Sequence, residues 1–254
     1  MIQEPFAHGN SPIHRMDARA KIILAAVATS VVAVLSAPAA LIAALLTGVL
    51  LAVAARLQLA GLLKGFIALN TFMLFIWVVV PLTFTGDPLY QWGPLTVTGA
   101  GVELATRITL KANAIFLIFT ALIATSPVAV LGHALDRLRA PDKIVLLLLL
   151  TYRYVFVIEQ EYSRLSRAAA IRGFRPGTNL HTYKTYAYMV GMLLVRASVR
   201  AERVKRAMLC RGFQGRFLSL HEFSFARRDW VWSIIIIFAT ATTAALEWAV
   251  PFLS

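Results

Sequence analysis

A single cysteine, Cys210, stands in 254 residues, which leaves no internal disulfide and no zinc site built on paired thiolates. Charged side chains are scarce, at 15% of the chain, while 59% of residues are hydrophobic and the mean hydropathy is +0.73. That is more apolar surface than a soluble core can bury, so the composition argues for the membrane class and against a soluble enzyme. Catalytic signatures are missing as well. There is no H-E-x-x-H, no G-x-S-x-G and no glycine-rich phosphate loop, and a membrane enzyme needs a converging nucleophile, acid pair or metal set. Without a phosphate loop the chain is not expected to hydrolyse ATP itself. His8, His14, His133, His181 and His221 are scattered, with no H-x-x-x-H pair, so no metal site and no resident cofactor are expected.

The net charge of +13 raises the question of nucleic acid, and its distribution answers it. Residues 126–228 hold 18 of the 25 Lys and Arg but only six of the 12 acidic residues, so +12 of the +13 lies there. Basic residues gathered in one segment between apolar ones mark a cytoplasmic face, not a nucleic-acid surface.

Taken in order, Met1 to Ala20 is polar, with Arg15, Arg19 and Lys21 just ahead of the first apolar run. A cleaved signal peptide is disfavoured, because further apolar spans follow where a polar mature domain is expected. The runs 22–36 and 39–54 are each shorter than the ~20 residues of an average span. Arg19 and Lys21 at one end share a side with Arg56 and Lys64 at the other only if the chain turns back at Pro38, so a hairpin is expected.

Gly65 to Phe84 is a third span. The loop after it, 85–98, holds Asp87, Pro88, Trp92 and Pro94 but no Lys or Arg, and belongs outside, with Trp77, Tyr90 and Trp92 as interfacial anchors. A fourth helix starts near Gly99 with Glu103, Arg107 and Lys111 four apart on one stripe. Two readings of that stripe stand: a surface against another membrane subunit, or snorkelling at the outer boundary.

Ser126-Pro127 and Arg139-Ala140-Pro141 bracket a short amphipathic piece, and a helix runs from Lys143 to about Arg172. Arg175-Pro176-Gly177-Thr178-Asn179 breaks it with turn chemistry, and another helix runs from about Thr182 to Arg211. Polar residues return before a last span, Trp230 to Val250. The expected fold is thus an all-α integral membrane protein with about five transmembrane helices and a cytoplasmic coupling region of long helices. Its parts are 1–125 (membrane), 126–228 (coupling) and 229–254 (last span). Five spans starting inside place the N-terminus inside and the C-terminus outside.

The two long helices share a motif. Arg167 to Phe174 reads R-A-x-x-x-R-G-F, and Arg206 to Phe213 repeats it 39 positions later. The same shift carries Tyr154, Ile158, Tyr162, Leu165 and Ala169 onto Leu193, Ala197, Ala201, Val204 and Met208, one helical stripe in each copy. It also carries Arg164 and Arg167 onto Arg203 and Arg206. Gly173 and Gly212 suit positions just past a helix end, and Arg172 and Arg211 in a last turn are favoured against the carbonyl ends by about 0.3–1 kcal/mol. Helix-end chemistry explains one Arg-Gly, but not two with shared flanks. A planar, permanently charged guanidinium at a protruding tip suits an acidic groove on a partner, Phe174 and Phe213 would add apolar anchoring, and two copies imply two equivalent grooves.

At these residues the chain resembles the T component of energy-coupling factor (ECF) transporters, the EcfT/CbiQ family. Ile171-Arg172-Gly173 and Cys210-Arg211-Gly212 look like that family's paired X-Arg-Gly signatures, commonly Ala-Arg-Gly. His14-Arg15-Met16-Asp17-Ala18-Arg19-Ala20-Lys21 is similar to its H-R-x-D-P-R-x-K opening. Ile171 and Cys210 depart from the usual Ala, and Ala18 from the Pro. The resemblance implies a scaffold in the bacterial cytoplasmic membrane whose Arg-Gly tips dock on two ABC ATPase subunits. ATP would be bound by those subunits, and movement would pass to a separate substrate-binding membrane subunit. The opening Ser11-Pro12-Ile13-His14 looks more like the cobalt or nickel scaffolds of CbiQ type than the shared vitamin ones. A conventional ABC permease is the nearest rival, and Ala201 to Leu220 is only loosely like its coupling loop. An anionic-lipid anchor would account for the basic segment but not for the repeat.

Overall fold

The computed structural model describes residues 6–7, 9, 11–85, 88–92, 95–215 and 227–249, with the side chains of 88–92 and 95–97 left out. His8, His221, Asp87, Pro94, the side chains of Tyr90 and Trp92, and the tail from Val250 therefore lie outside what is described. Eight helices follow in order: α1 (Ala18–Val34), α2 (Pro38–Ala54), α3 (Leu59–Thr83), α4 (Gly99–Leu122), α5 (Val128–Arg137), α6 (Asp142–Ile171), α7 (Leu180–Cys210) and α8 (Arg227–Ala249). The 85–98 segment, expected as a loop, holds a two-stranded antiparallel hairpin, β1 (Pro88–Trp92) and β2 (Leu95–Thr98), the only strands among the described residues. The chain divides into two compact units, residues 4–131 with 223–254, and residues 132–222 with 1–3.

In the first unit α4 packs against α1, α2 and α3, and α8 packs against α1 and α2. Small side chains make this possible: Ala25, Ala28, Ala40, Ala44, Ala105, Ala114 and Ala121 are all buried, the packing by which helices approach closely in lipid. Gly48 of α2 lies so close to α4 that a Cβ there would stand 3.0 Å from Leu117 and 3.3 Å from the Ala114 carbonyl.

Polar ties give the helix directions. Lys21 Nζ donates to Ser126 Oγ (2.7 Å) and Thr125 Oγ1 (3.2 Å) just past the end of α4, and Lys111 Nζ in mid-α4 donates to the Ala33 carbonyl (3.0 Å), so α1 runs antiparallel to α4. Asn70 and Asn113 exchange amide hydrogen bonds (3.1 and 3.2 Å) and Trp77 Nε1 donates to Thr109 Oγ1 (3.0 Å), so α3 is antiparallel to α4 too. At the far end of α8, Glu247 accepts from the Ser36 and Ala37 amides (2.9 and 2.8 Å) and from the Ser36 hydroxyl. Thus α1, α3 and α8 run one way and α2 and α4 the other, the alternation of a chain that crosses five times. The hairpin expected at Pro38 is present, with Pro38 as the first residue of α2.

That hairpin is clamped by charge. Lys111 serves a carbonyl at the end of α1, and Glu247 serves the amides that precede α2. Where no water can satisfy them, each such group left unpaired costs several kcal/mol. The Lys111 part of the expected stripe is therefore directed inward, and Arg107 pairs with Glu103 beside it.

Among the described residues α3, α4 and α8 are long and apolar enough to cross a membrane. The 17 residues of α1 and α2 sit at the short end of the ~17–25 that a bilayer requires. Both lie between fuller helices, and their ends are tied by the side chains just named. α3 starts at Leu59, six residues before the expected Gly65, so Lys64 is inside it.

Candidate functional site

The second unit carries the repeat. α6 and α7, of 30 and 31 residues, occupy nearly the spans read from the sequence, and the turn between them is capped as its residues demand. The Asn179 side chain accepts from the Thr182 amide (2.8 Å), and the Gly177 amide donates to Thr182 Oγ1 (3.1 Å). Phe174 lies edge-on to Tyr186 (centroids 5.7 Å apart) and tilted to His181 (6.2 Å), which fastens the end of α6 to the first turns of α7.

Both helices end in the same way. At α6 the Gly173 amide donates to the Ala170 carbonyl (3.0 Å) and the Phe174 amide to Ala169 (3.1 Å). At α7 the Gly212 amide donates to Leu209 (3.0 Å) and the Phe213 amide to Met208 (3.0 Å). Each pair of bonds is a Schellman cap, which uses carbonyls that the helix leaves free. Gly173 and Gly212 supply the left-handed residue, at φ +81° and +75°. Nothing lies within 4 Å of a Cβ built on either, so glycine is required by conformation and not by space.

The cap fixes where the neighbouring side chains go. Arg172 and Arg211 are the capping residues themselves, one step beyond the last helical turn in which they were expected. Both are exposed, and neither makes an ion pair or side-chain hydrogen bond among the described residues. Ile171 beside the first is 87% exposed, and Cys210 beside the second is exposed too. Phe174 and Phe213 are half-buried instead: Phe174 is held by Tyr186 and His181, and Phe213 lines a cleft between the helices.

That cleft, of about 810 Å³, lies between α6 and α7 and takes in Tyr154 and Ile158 from one stripe and Leu193, Ala197, Val204 and Met208 from the other. All five positions of the α7 stripe, Ala201 included, thus face only the first two of the α6 stripe. Tyr162, Leu165 and Ala169 are not part of its wall.

The supporting arginines divide. Arg164 (3.5 Å) and Arg196 both pair with Glu161, the latter across the two helices, and Arg206 pairs with Glu202. Arg196, and then the charges of Arg164 and Arg200, hold the Glu161 carboxyl below the usual carboxylate range. Arg167 and Arg203 have no ion-pair partner among the described residues.

Glu247 went unremarked in the sequence, while Lys21 and Ser11, read there as a flanking base and as part of the opening, prove to place the helices: Lys21 is fully buried and Ser11 Oγ shares a hydrogen bond with His14 Nδ1 at 2.7 Å. A lone acid in an apolar span is a recognisable signal for Glu247. No group of three His, Cys, Asp or Glu among the described residues stands close enough to hold a metal ion.

A protein family described as CbiQ, cobalt transport protein, matches residues 9–222, a range that includes the opening motif and both tips. The energy-coupling factor transporter transmembrane protein EcfT of Acidaminococcus fermentans is 27% identical over 258 aligned positions, covering 96% of this chain and 95% of the relative. EcfT of Bacillus subtilis is 26% identical and covers 85% of each. The cobalt transport protein CbiQ of Rhodobacter capsulatus is 32% identical over 143 positions, 54% of this chain and 58% of that protein. With its membrane helices, its repeated helix caps and this match over most of its length, the chain belongs to the CbiQ/EcfT family, the T components of energy-coupling factor transporters.

Proposed function

We propose that the chain is the coupling subunit of an ECF-type ABC importer. Arg172 and Arg211 insert into acidic grooves on two ABC ATPase subunits, one tip to each. α6 and α7 pass the ATP-driven movement to a separate substrate-binding membrane subunit. ATP is bound and hydrolysed by the partners, and this chain contributes no catalytic residue. The basic region, 126–228, faces the cytoplasm, with the N-terminus inside and the C-terminus outside.

The observation that carries this reading is the same cap built twice, each presenting an exposed guanidinium with no ion-pair partner among the described residues. Phe174 ties the first tip to the start of α7, and the second tip is at its end. At 1.5 Å per residue, the 31 residues of α7 hold the tips roughly 46 Å apart. Two such points suit a partner with two separate grooves. A single coupling loop of a conventional permease has no need of them.

The cargo we propose is a cobalt or nickel cation, bound by the partner subunit and not by this chain. Support comes from the opening Ser11-Pro12-Ile13-His14 and from the family description and the Rhodobacter relative's name, which refer to cobalt. A vitamin cargo is the second reading, kept because the EcfT relatives match along nearly their whole length and their names do not refer to cobalt.

The test replaces Arg172 and Arg211 by Glu in the native complex. ATP-driven uptake and ATPase co-purification are expected to vanish while membrane insertion is kept; survival of both would sink the reading. Uptake of radiolabelled Co²⁺ against radiolabelled biotin by the intact complex separates the two cargoes.

A further inference from the structure

α7 carries a second apolar face that the cleft does not use. Tyr188, Met192, Val195 and Val199 follow the 4, 3, 4 spacing of one helical stripe and are 76%, 47%, 59% and 46% exposed. Beside it runs a row of guanidiniums, Arg196 and Arg200 next to Val195 and Val199, and Arg203 one turn on. With Val195 and Val199 they line a shallow concavity of about 660 Å³ in which Glu161 is the one acid. That carboxylate is already answered by Arg196 and Arg164. Arg200 and Arg203 have no ion-pair partner among the described residues, so the concavity keeps an excess of positive charge.

We propose that this face of α7 binds the headgroup of an anionic phospholipid. Arg200 and Arg203 hold the phosphate, and the acyl chains lie along Tyr188, Met192, Val195 and Val199. Guanidiniums offer paired donors that match phosphate oxygens. An exposed aliphatic stripe flanked by bases is the pattern of a helix lying in the headgroup layer, where tyrosine rings also settle and anionic lipids attract cations. Charge alone also suits an acidic protein surface or free phosphate. Free phosphate and a wholly polar protein surface leave the four exposed apolar side chains uncovered, whereas a phospholipid covers both parts of the face at once. The inference rests only on the membrane setting of the family and is independent of ATPase docking at the tips.

The experiment compares the full chain with its Arg200→Gln/Arg203→Gln and Met192→Ser/Val195→Ser forms, each reconstituted with equal phosphatidylglycerol and phosphatidylcholine, then washed and extracted. All four positions are exposed, and Gln keeps helix propensity, so circular dichroism should show unchanged folding. The wild type should retain phosphatidylglycerol severalfold over phosphatidylcholine, and both variants should lose that preference. Equal retention of the two lipids by the wild type, or an undiminished preference in the arginine variant, overturns the proposal. A second measurement follows modification of Arg200 and Arg203 by phenylglyoxal. Protection by phosphatidylglycerol vesicles supports the site. Equal protection by inorganic phosphate refutes it in favour of a simple anion site, and protection only by added ATPase subunits refutes it in favour of an acidic protein surface.

Discussion

Gly173 and Gly212 are the residues on which both tips turn. Each is left-handed with open space around it, so alanine would meet no clash and pay only for its backbone, about 1–2 kcal/mol at each site. We expect Gly173→Ala and Gly212→Ala to loosen the last turn of α6 or α7, read as faster amide exchange at Phe174 or Phe213. Asparagine, which tolerates this conformation, should cost less. Equal exchange in the alanine and asparagine forms would mean that the conformation is not what selects glycine. Lys21 poses the opposite case, a charge held where no water reaches it. Its ammonium is satisfied by Ser126, Thr125 and, more distantly at 3.5 Å, the His14 carbonyl, and Asp229 is buried in the first turn of α8. Lys21→Ala removes these bonds and leaves a cavity, so a loss of roughly 2–5 kcal/mol is expected, measured as a lower unfolding temperature in detergent.

At the scale of elements, the α1–α2 turn shows how short helices end inside a membrane protein. Its outgoing carbonyl is served from α4 by Lys111 and its incoming amides from α8 by Glu247, so the turn is tied to two helices that are distant in the chain. Glu247→Ala leaves the Ser36 and Ala37 amides without their acceptor and should cost about 1–3 kcal/mol, with the loss concentrated at Ser36 and Ala37 in hydrogen exchange. Spread evenly over α8 instead, it would point to packing of the Glu247 stem as the main contribution. α6 and α7 show the complementary behaviour. They meet through Arg196 and Glu161 and through Phe174, and leave partly exposed apolar stripes on either side of a cleft. Side chains left partly exposed in this way hold an element loosely, which suits an arm that moves.

For the whole molecule, the separation of the tips makes a further demand. If each guanidinium serves its own ATPase subunit, Arg172→Glu alone should reduce transport nearly as much as the double change, because one engaged tip leaves the other motor unlinked. ATPase co-purification should weaken only in part. A single variant with half the wild-type uptake would show that the tips act independently. Much of this was legible in the residues. The apolar runs told of membrane helices, Pro38 with the flanking bases told of the hairpin, and the repeat at 39 residues told of two equivalent helix ends. These are local patterns, carried by hydropathy, by charge and by the conformations that glycine and proline allow. What the tertiary structure alone decided was the partner of each polar group: Lys111 turned to α1 while Arg107 stayed with Glu103, Glu247 on the amides that precede α2, Lys21 beyond the end of α4, and Phe174 folded back on the start of α7. A buried donor must find an acceptor wherever the chain brings one within about 3 Å, and that depends on the meeting of helices up to 211 positions apart in sequence.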